Sequence, residues 1–444
     1  MSDVTGLKVL LVTPLDFAAR PNNSEHNRAR HYARAGCEVT VLYKIGNDSP
    51  RLRDMIRDTC TFRVVRSTRG PLRLVGVDPL FNYFGGYRRN AEARSTASRA
   101  KRPSLRLVLV RLLSPLAVLR DVFFLPCALY AARRNLDARY DVCLGVGPWG
   151  GLAGWILRAS GRVSALVYID RDYEAGLVPD RLRRWYTERV ECFGIRRADV
   201  VICVGRLLAE RRRRCVDREL AILPNGVDWD TFAPSRNRDR TGRTLIYVGN
   251  VIDWAGVEHA IRAMPRIRDR YPDAKLRIVG GGLPDYMRFL RTTVDELRVQ
   301  DCVELLGERP RAELAALLAD AEIGLSNSEP VPFRKYACPI KVLEYMAAGL
   351  PVIATAGTEA GNLVEELGCG LAVPYGADAL ADAALALLGD AERYRRLSTN
   401  GVEHSRRMTW EHLLGREIDL IVAQRAGSGR ARTERERTVD RVSP

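Results

Sequence analysis

Residues 338–354, CPIKVLEYMAAGLPVIA, decide the fold because they predict a short buried helix that leads directly into a buried strand. Apart from Lys341 and Glu344 the stretch is almost entirely apolar. A proline at the first helical position and a glycine just past the last predict a helix over about 339–348, and a strand follows over 351–356. The stretch therefore predicts one unit of a buried parallel sheet whose helix carries two opposite charges.

Short β-branched runs alternate with helical stretches on both sides of this segment, a pattern that predicts an α/β fold with doubly wound sheets. Ten strands are predicted, at 8–13, 38–43, 141–146, 164–169, 199–204, 244–249, 275–280, 302–307, 322–326 and 351–356. Asn225-Gly226, between two prolines, predicts a turn where the first sheet ends. We therefore expect two doubly wound, Rossmann-like domains facing each other across a cleft, with ligands at the carboxyl ends of the strands.

The predicted boundaries divide the chain into two domains, a last helix and a tail. Residues 1–225 form the N-terminal domain and residues 226–407 the C-terminal domain. An amphipathic pattern predicts a last helix over 408–424 that crosses back to the first domain. Residues 425–444 have almost no apolar side chains, so we expect them to be disordered.

Lys341 and Glu344 lie one turn apart on the same face of the predicted helix, which is expected to look into the cleft. Unpaired N–H groups and the positive end of the helix dipole favour a phosphate at the helix start, and a lysine there strengthens such a site. Glu344 can accept two hydrogen bonds from a vicinal diol such as a ribose. The pair is therefore typical of a nucleoside diphosphate site, with a solvated intrahelical ion pair as the alternative.

Four further motifs accompany this segment: LPNGVDWDTFAP at 223–234, LIYVGN at 245–250, LRIVGGG at 276–282 and TWEHLL at 409–414. Together the five motifs resemble a retaining glycosyltransferase of family 4 with the GT-B fold. The resemblance is specific over the C-terminal half and loose over the first 220 residues.

The resemblance implies that Glu344 binds the donor ribose and that Lys341 and the backbone amides of the helix start hold the pyrophosphate. It implies close approach of the glycine loops to the donor, and a base near Gly307 to Arg309. The glycines alternatively form ordinary tight turns. The donor-binding residues implied in this way are Gly249, Asn250, Gly281, Gly282, Gly307, Arg309, Lys341, Val342, Leu343 and Glu344.

Three positions depart from the family pattern. Tyr336 stands where the family often has a first glutamate that contacts the donor sugar. Asn250 and Ala255 stand where the family places basic residues that bind phosphate. Arg334 and Lys335 are candidates to replace that missing charge.

On the acceptor side, the strand at 164–169 runs into Asp170-Arg171-Asp172, where relatives commonly place a His or Asp that points at the reacting sugar. Asp172 or Asp170 is therefore a candidate to orient the acceptor hydroxyl, and a helix cap or surface turn is the alternative. Asp170-x-Asp172 and Asp228-x-Asp230 match the three-residue metal signature of the other major transferase fold, but a match that short arises by chance and two doubly wound sheets argue against a metal role. No CxxC and no histidine at metal-ligand spacing is found either, so we expect no metal site.

The net charge of +16 is concentrated in the first half of the chain. Residues 1–225 carry 40 basic against 22 acidic side chains, and 66–120 alone carry 12 against 2. Basic side chains interleaved with apolar ones suit anionic lipid headgroups. A solvated face is the alternative, and no recognition motif favours nucleic acid. The ten scattered cysteines predict reduced thiols in a cytoplasmic protein, and no signal peptide or membrane-spanning helix is predicted.

The sequence thus predicts a cytoplasmic glycosyltransferase of the hexosyltransferase type, peripheral on the inner face of the membrane. It would move a sugar from a nucleoside diphosphate sugar, with UDP or GDP, to a lipid-linked, glycolipid or polysaccharide acceptor, and the resemblance implies retention. Lys341 would stabilise the leaving diphosphate, without a cofactor. Two alternatives are a sugar-nucleotide epimerase of the same fold and a weakly active or non-catalytic subunit that tethers an assembly to the membrane.

Overall fold

A computed structural model of the chain describes residues 4–14, 17, 24–44, 64–67, 72–77, 125, 129, 136–178, 181–233 and 242–439. The described residues divide into two compact units. The first unit contains the described residues up to Leu223 and those from Trp410 onward, and the second runs from Pro224 to Thr409. Most of the basic stretch 66–120, and the helices expected around 116–135, lie outside the described residues.

The first unit is built on one eight-stranded sheet. Its strands are β1 (Lys8–Thr13), β2 (Glu38–Lys44), β3 (Val64–Ser67), β4 (Leu72–Val77), β5 (Tyr140–Val146), β6 (Val163–Asp170), β7 (Val200–Cys203) and β8 (Ala221–Ile222). Its helices are α1 (Ser24–Arg34), α2 (Gly147–Ala159), α3 (Arg181–Arg197) and α4 (Arg206–Arg212). The strand order is β3-β4-β2-β1-β5-β6-β7-β8, and the β3–β4 pair is antiparallel while the other neighbours are parallel.

The strand order of this sheet reverses between β1 and β5. β1 pairs with β2 on one side and with β5 on the other, although β3 and β4 lie between β2 and β5 in the chain. Loops that leave such a pair at the carboxyl ends turn to opposite faces of the sheet and leave a crevice between them. Gly147 follows β5 directly, with φ 64°, and begins α2 at this point.

The second unit is built on one six-stranded parallel sheet in the order β11-β10-β9-β12-β13-β14. Its strands are β9 (Thr244–Val248), β10 (Lys275–Val279), β11 (Val303–Gly307), β12 (Ile323–Ser326), β13 (Val352–Thr355) and β14 (Gly370–Val373). Its helices are α5 (Val257–Arg270), α6 (Pro284–Leu297), α7 (Arg311–Ala319), α8 (Pro332–Lys335), α9 (Ile340–Ala347), α10 (Glu359–Glu366), α11 (Ala377–Gly389) and α12 (Ala391–Arg406).

The predicted α/β class and the ten predicted strands are confirmed, each strand to within one residue at either end. β3 and β4 were missed because their arginines made the segment appear to fit no strand, whereas β4 is the second strand from the sheet edge. Arg73 on β4 forms an ion pair there with Asp137 at 2.6 Å. The alternation of Leu, Arg and Val in β4 was the available signal.

The quoted segment forms α9 and β13 as predicted, and the side chains of α9 explain its apolar character. Val342, Leu343 and Met346 are fully buried in the core of the second unit. Tyr345 packs against Gly324 of β12, and its hydroxyl accepts a hydrogen bond from the Val248 amide at 2.8 Å. The helix is thereby fixed against two neighbouring strands, which sets the position of its first turn.

The last helix returns to the first unit. α13 (Trp410–Val439) packs against α1, where Glu417 receives two hydrogen bonds from the Arg28 guanidinium at 2.8 Å and one from the Tyr32 hydroxyl at 3.0 Å. Because α13 continues to Val439, the prediction of a disordered tail from residue 425 is wrong for 425–439. The disorder prediction was based on the low apolar content of that stretch. Alanine, arginine and glutamate predominate there, however, and these residues have high helix propensity.

The prediction that all cysteines are reduced is also wrong for one pair. Cys192 on α3 and Cys215 just after α4 form a disulfide, with Cα atoms 4.9 Å apart. Their separation of 23 residues carries no signal in the sequence, because only the packing of α3 against the turn after α4 brings them together. Among the described residues, no helix is both long and apolar enough to cross a membrane.

Candidate active site

Lys341 lies in the first turn of α9 and its ammonium group faces an aromatic ring. Its Nζ is 3.9 Å from the centroid of the Tyr247 ring, close to the loop that follows β9 at Gly249. Burial, with the positive charge of Arg334 as the second cause, lowers the pKa of Lys341 well below its usual value. Pro339, the residue before the helix, has no side-chain acceptor, so it does not cap the first amides of α9.

Arg334 on α8 is the second cation of this region. Its guanidinium lies 4.7 Å from the centroid of the Trp254 ring, one residue from Ala255 in the chain. Its Nε is buried and has no hydrogen-bond partner among the described residues. Arg334 lines a small pocket at the carboxyl end of β12, and the other residues of this pocket are Ser326, Ser328, Ala337, Pro339, Thr358 and Ala360. A buried donor without a partner is costly, so this pocket is suited to an anion.

Glu344 is buried, with 6% of its surface exposed, and it is paired with a residue that the sequence did not single out. Its carboxylate lies 3.2 Å from the guanidinium of Arg311, the first residue of α7, which also pairs with Asp228 at 2.8 Å. Burial raises the pKa of Glu344, while Arg311 opposes the shift and Asp228 adds to it. No sequence spacing connects positions 228, 311 and 344, so only the packing of the second unit could reveal this network.

The glycine-containing loops after β9 and β10 are in close backbone contact with each other, so no space is left between them. Gly280 has φ 144°, and a Cβ there would overlap the carbonyl oxygen of Gly249. A Cβ on Gly282 would overlap the carbonyl oxygen of Val251, whose amide donates to the Gly281 carbonyl at 2.8 Å. The tight-turn alternative therefore accounts for these glycines, and their contact with a donor stays a prediction.

The remaining predicted donor residues divide into exposed and buried ones. Asn250 and Arg309 are exposed, and Arg309 pairs with Glu313 one turn along α7 at 3.8 Å. Gly307 has open space where a Cβ would be. Val342 and Leu343 have no exposed surface. Their side chains pack in the core, so only their backbone amides, in the first turn of α9, could contact a donor, and that contact stays a prediction.

On the acceptor side, the structure separates the two predicted aspartates. Asp170, at the end of β6, is fully buried, and both of its oxygens bind the guanidinium of Arg212, at 2.5 and 3.0 Å. Arg212 also donates to Glu191 at 2.7 Å. Asp170 is therefore part of a structural ion-pair network, and its predicted role toward the acceptor is wrong. Asp172 is half-buried and lies 3.5 Å from Arg171, so its role stays a prediction.

Glu174, two residues beyond Asp172, was missed by sequence reasoning. It begins the 3-10 turn Glu174–Leu177 and its carboxylate rests against Gly147, where any Cβ would collide with Oε1. Burial raises the pKa of Glu174 to about 8, with Arg171 opposing the shift and Glu191, Asp172 and Asp170 adding to it. Its position shortly after a strand end was the available signal.

The second unit thus brings together Lys341, Arg334 and the uncapped start of α9, with Glu344 one turn further along the helix. Two basic side chains beside the N-terminal end of a helix form an arrangement that suits a diphosphate. Asp172 and Glu174 belong to the first unit.

The chain is similar to known glycosyltransferases. Residues 242–390 match the family model described as glycosyl transferases group 1. The chain is 30% identical over 183 residues to the putative colanic acid biosynthesis glycosyltransferase WcaL of Escherichia coli, covering 40% of this chain and 45% of the relative. It is 32% identical over 215 residues to a GDP-mannose-dependent alpha-(1-6)-phosphatidylinositol monomannoside mannosyltransferase of Mycobacterium tuberculosis, covering 46% and 55%. The matches span about half the length of these curated relatives.

The solved structure of a sucrose-phosphate synthase from Thermosynechococcus elongatus superimposes with a TM-score of 0.69 at 20% identity, over 95% of this chain and all of the other. A likeness at this level of identity shows the fold, which is the GT-B fold expected from the sequence. Over residues 242–390, within its second unit, the chain is similar to the group 1 glycosyltransferases.

Proposed function

We propose that this protein transfers a sugar from a nucleoside diphosphate sugar to a lipid-linked, glycolipid or polysaccharide acceptor. The observation that carries the proposal is the pair of cations at the start of α9, because Lys341 and Arg334 influence each other electrostatically and Arg334 keeps a buried donor unsatisfied. Two positive groups held close together repel each other unless an anion lies between them. A diphosphate matches both the positive charge and the N-terminal end of α9.

The same groups explain how the bond to the donor sugar would break. Negative charge develops on the departing diphosphate as the glycosidic bond lengthens, and preorganised cations in a desolvated site stabilise that charge. Lys341 and Arg334 would provide this stabilisation without a metal cofactor. Arg334 also supplies the positive charge that is absent at Asn250 and Ala255, since it lies over Trp254 between those two positions in the chain.

Glu344 is proposed to bind the ribose of the donor nucleotide. A carboxylate can accept from two vicinal hydroxyls, and burial makes those hydrogen bonds stronger than they are in water. Burial raises the pKa of Glu344, and the Arg311 guanidinium 3.2 Å away opposes that effect by favouring the charged carboxylate. The family resemblance implies retention of the anomeric configuration.

A binding panel tests the donor site. UDP, GDP and ADP, free and as their glucose or mannose conjugates, are titrated by calorimetry into the wild type, Lys341→Met, Arg334→Gln and a control. Arg288→Gln is the matched control, because Arg288 lies on α6 outside the predicted donor-binding residues, is 74% exposed and pairs with Asp285 at 3.4 Å. Each lost charge-assisted hydrogen bond is worth about 1.5–3 kcal/mol, so we expect at least roughly tenfold weaker binding in the two site variants. Equal affinity in all four proteins would reject the donor site.

A lipid-associated acceptor is supported by one exposed face of α3 in the first unit. Leu182 and Trp185 are 53% and 54% exposed, and they lie one turn apart on the helix. Arg181 and Arg189 lie on the same face, with the Arg189 guanidinium 5.2 Å from the centroid of the Trp185 ring. Apolar side chains flanked by arginines suit the headgroup region of an anionic bilayer. We therefore propose that the protein is peripheral on the inner face of the membrane.

Co-sedimentation with phosphatidylglycerol vesicles tests this membrane proposal. Trp185→Ser combined with Arg181→Gln should weaken pelleting about tenfold, since one arginine near an anionic surface contributes about 1 kcal/mol and the indole adds apolar burial. Leu420→Ala is the control, because Leu420 is also exposed, at 38%, but lies on α13. Pelleting that neither the α3 variant nor high salt reduces would reject the α3 face as the membrane contact.

A further inference from the structure

Arg311 is the first residue of α7, a place where a positive charge is unfavourable for the helix. The N-terminus of a helix is the positive end of its dipole, so cations stabilise the opposite end. The Arg311 guanidinium instead meets two carboxylates, since its Nη2 lies 2.8 Å from Oδ2 of Asp228 and 3.2 Å from Oε1 of Glu344. The position of Arg311 therefore suits these two partners rather than the helix that carries it.

The core of the second unit holds these three residues in place. Asp228 immediately precedes the 3-10 turn Trp229–Phe232, and Phe232 is fully buried in the same core as the apolar side chains of α7 and α9. The Arg311 guanidinium lies 6.0 Å from the centroid of the Phe232 ring. All three residues belong to the second unit, so their arrangement does not depend on where the first unit lies.

The carboxylate of Glu344 retains the capacity to accept further hydrogen bonds. Among the described residues, only Arg311 forms an ion pair or side-chain hydrogen bond with it. A carboxylate offers about four lone-pair sites, so one such partner leaves sites for the hydroxyls of a ligand. Hydrogen bonds to a charged carboxylate are roughly twice as strong as those to a neutral acceptor. The charge state of Glu344 therefore decides how well it can recognise a diol.

We propose that Arg311 is a positioning residue that makes the donor site selective for ribose over deoxyribose, by holding Glu344 as an oriented, charged acceptor for the ribose hydroxyls. This inference rests on the proposed donor site. Asp228 has the opposite effect, because it shares the same guanidinium nitrogen and adds negative charge near Glu344. The segment that begins the second unit thereby takes part in the recognition of the ribose.

The charges near α9 give this selectivity a defined pH dependence. Burial raises the pKa of Glu344, Arg311 opposes that effect and Asp228 adds to it. Of the other elements packed against α9, β12 and β13 carry no charged side chain, and Arg406 of α12 lies 5.9 Å from the centroid of the Trp229 ring. On α9 itself, the ammonium group of Lys341 faces the Tyr247 ring. Selectivity for ribose should therefore rise with pH as Glu344 ionises. The rise should move to higher pH in Arg311→Met and to lower pH in Asp228→Asn.

The test is a ratio of two affinities. UDP and GDP, and their 2′-deoxy and 3′-deoxy forms, are titrated by calorimetry from about pH 5 to pH 9 into the wild type, Arg311→Met, Arg311→Lys, Asp228→Asn and the control Arg288→Gln. Titration of the phosphates and of Lys341 cancels in the ratio, because both ligands carry the same diphosphate. A hydrogen bond to a charged group is worth roughly 10- to 100-fold in affinity and a neutral one roughly two- to tenfold.

We therefore expect the deoxy forms to bind the wild type at least about tenfold more weakly once Glu344 is ionised. At the lowest pH that gives the wild type its full selectivity, Arg311→Met should lose about five- to tenfold of it and regain it as pH rises. Arg311→Lys should keep most of the selectivity because it keeps the charge. Arg288→Gln should match the wild type at every pH, since Arg288 is 74% exposed on α6.

Equal selectivity in the wild type and Arg311→Met at every pH, or a wild type that binds ribose and deoxyribose forms equally, would overturn the inference. Failure of the proposed function has a different signature, since the wild type would then bind none of the nucleotides. A second measurement needs no ligand and no change at Arg311. Carbon-13 carboxyl NMR of glutamate-labelled protein, with Glu344→Gln to identify the resonance, should show that Glu344 titrates at lower pH in Asp228→Asn than in the wild type. An unchanged midpoint would also overturn the inference.

Discussion

Binding of a nucleoside diphosphate is expected to take up a proton at Lys341. In the free protein this side chain is partly buried, its Nζ lies 3.9 Å from the Tyr247 ring centroid, and Arg334 adds a second positive charge. Burial and Arg334 lower the pKa of Lys341 well below 10.5. A bound diphosphate places negative charge beside the ammonium group, which favours the charged form and raises the pKa again.

The sign of the pH dependence follows from this pair of pKa values. Below the free-state pKa of Lys341 the lysine is charged before and after binding, so its contribution to affinity is complete. Between the free-state and bound-state values binding takes up a proton, and affinity falls as pH rises by up to tenfold, about 1.4 kcal/mol, per pH unit. Above both values the uptake ends and the contribution of the charge is lost.

Calorimetry in buffers of different ionisation enthalpy measures this uptake directly. The titrations are made above about pH 7.5, where the terminal phosphate of the nucleotide, with its pKa of about 6, no longer contributes. Lys341→Arg is the sharpest comparison, because arginine keeps its charge throughout and should bind without proton uptake. Lys341→Met should bind roughly 10- to 100-fold more weakly, since it removes about 1.5–3 kcal/mol of charge-assisted hydrogen bonding. Proton uptake that is zero in the wild type, or unchanged in Lys341→Arg, would refute the reasoning.

Three further predictions concern stability, each measured by urea unfolding. Gly280→Ala should lose about 2–5 kcal/mol, from overpacking and from positive φ together, whereas Gly307→Ala, with open space around it, should lose only about 1–2 kcal/mol. Arg212→Met should lose about 3–5 kcal/mol because it leaves buried carboxylates unpaired, and the exposed neighbour Arg213→Met should lose less than about 0.5 kcal/mol. Reduction of the disulfide should lose about 3 kcal/mol, and thiol titration should find two fewer reactive groups before reduction. Equal losses in each matched pair, or a stability insensitive to reductant, would contradict these expectations.

Local patterns in the sequence were sufficient for the main elements. Each predicted strand is present because a buried parallel strand needs a run of apolar, often β-branched residues, and such runs are visible without any knowledge of the partners. Lys341 and Glu344 could also be singled out from the sequence, because they are charged residues in an otherwise apolar helix. β3, at the sheet edge, and β4, next to it, were not predicted, because strands at or near a sheet edge carry polar side chains and show a weaker pattern.

The roles of individual acids could not be assigned in the same way. Asp170 and Glu174 lie four residues apart. Asp170 accepts two hydrogen bonds from Arg212, whereas Glu174 makes no side-chain hydrogen bond with any residue that the structure describes. Arg212 lies 42 positions from Asp170 in the chain, so no local pattern connects them. Likewise the pairing of Glu344 with Arg311 depends on how α7 and α9 pack.

By itself, the sequence determined the α/β class, the positions of most strands and the helix that carries Lys341 and Glu344. Only the tertiary structure decided which charged groups are satisfied and which are free, including Arg334 over Trp254 and Glu174 against Gly147. The physical reason is that backbone conformation follows from neighbouring residues, whereas the electrostatic state of a buried group depends on partners that folding brings from distant positions.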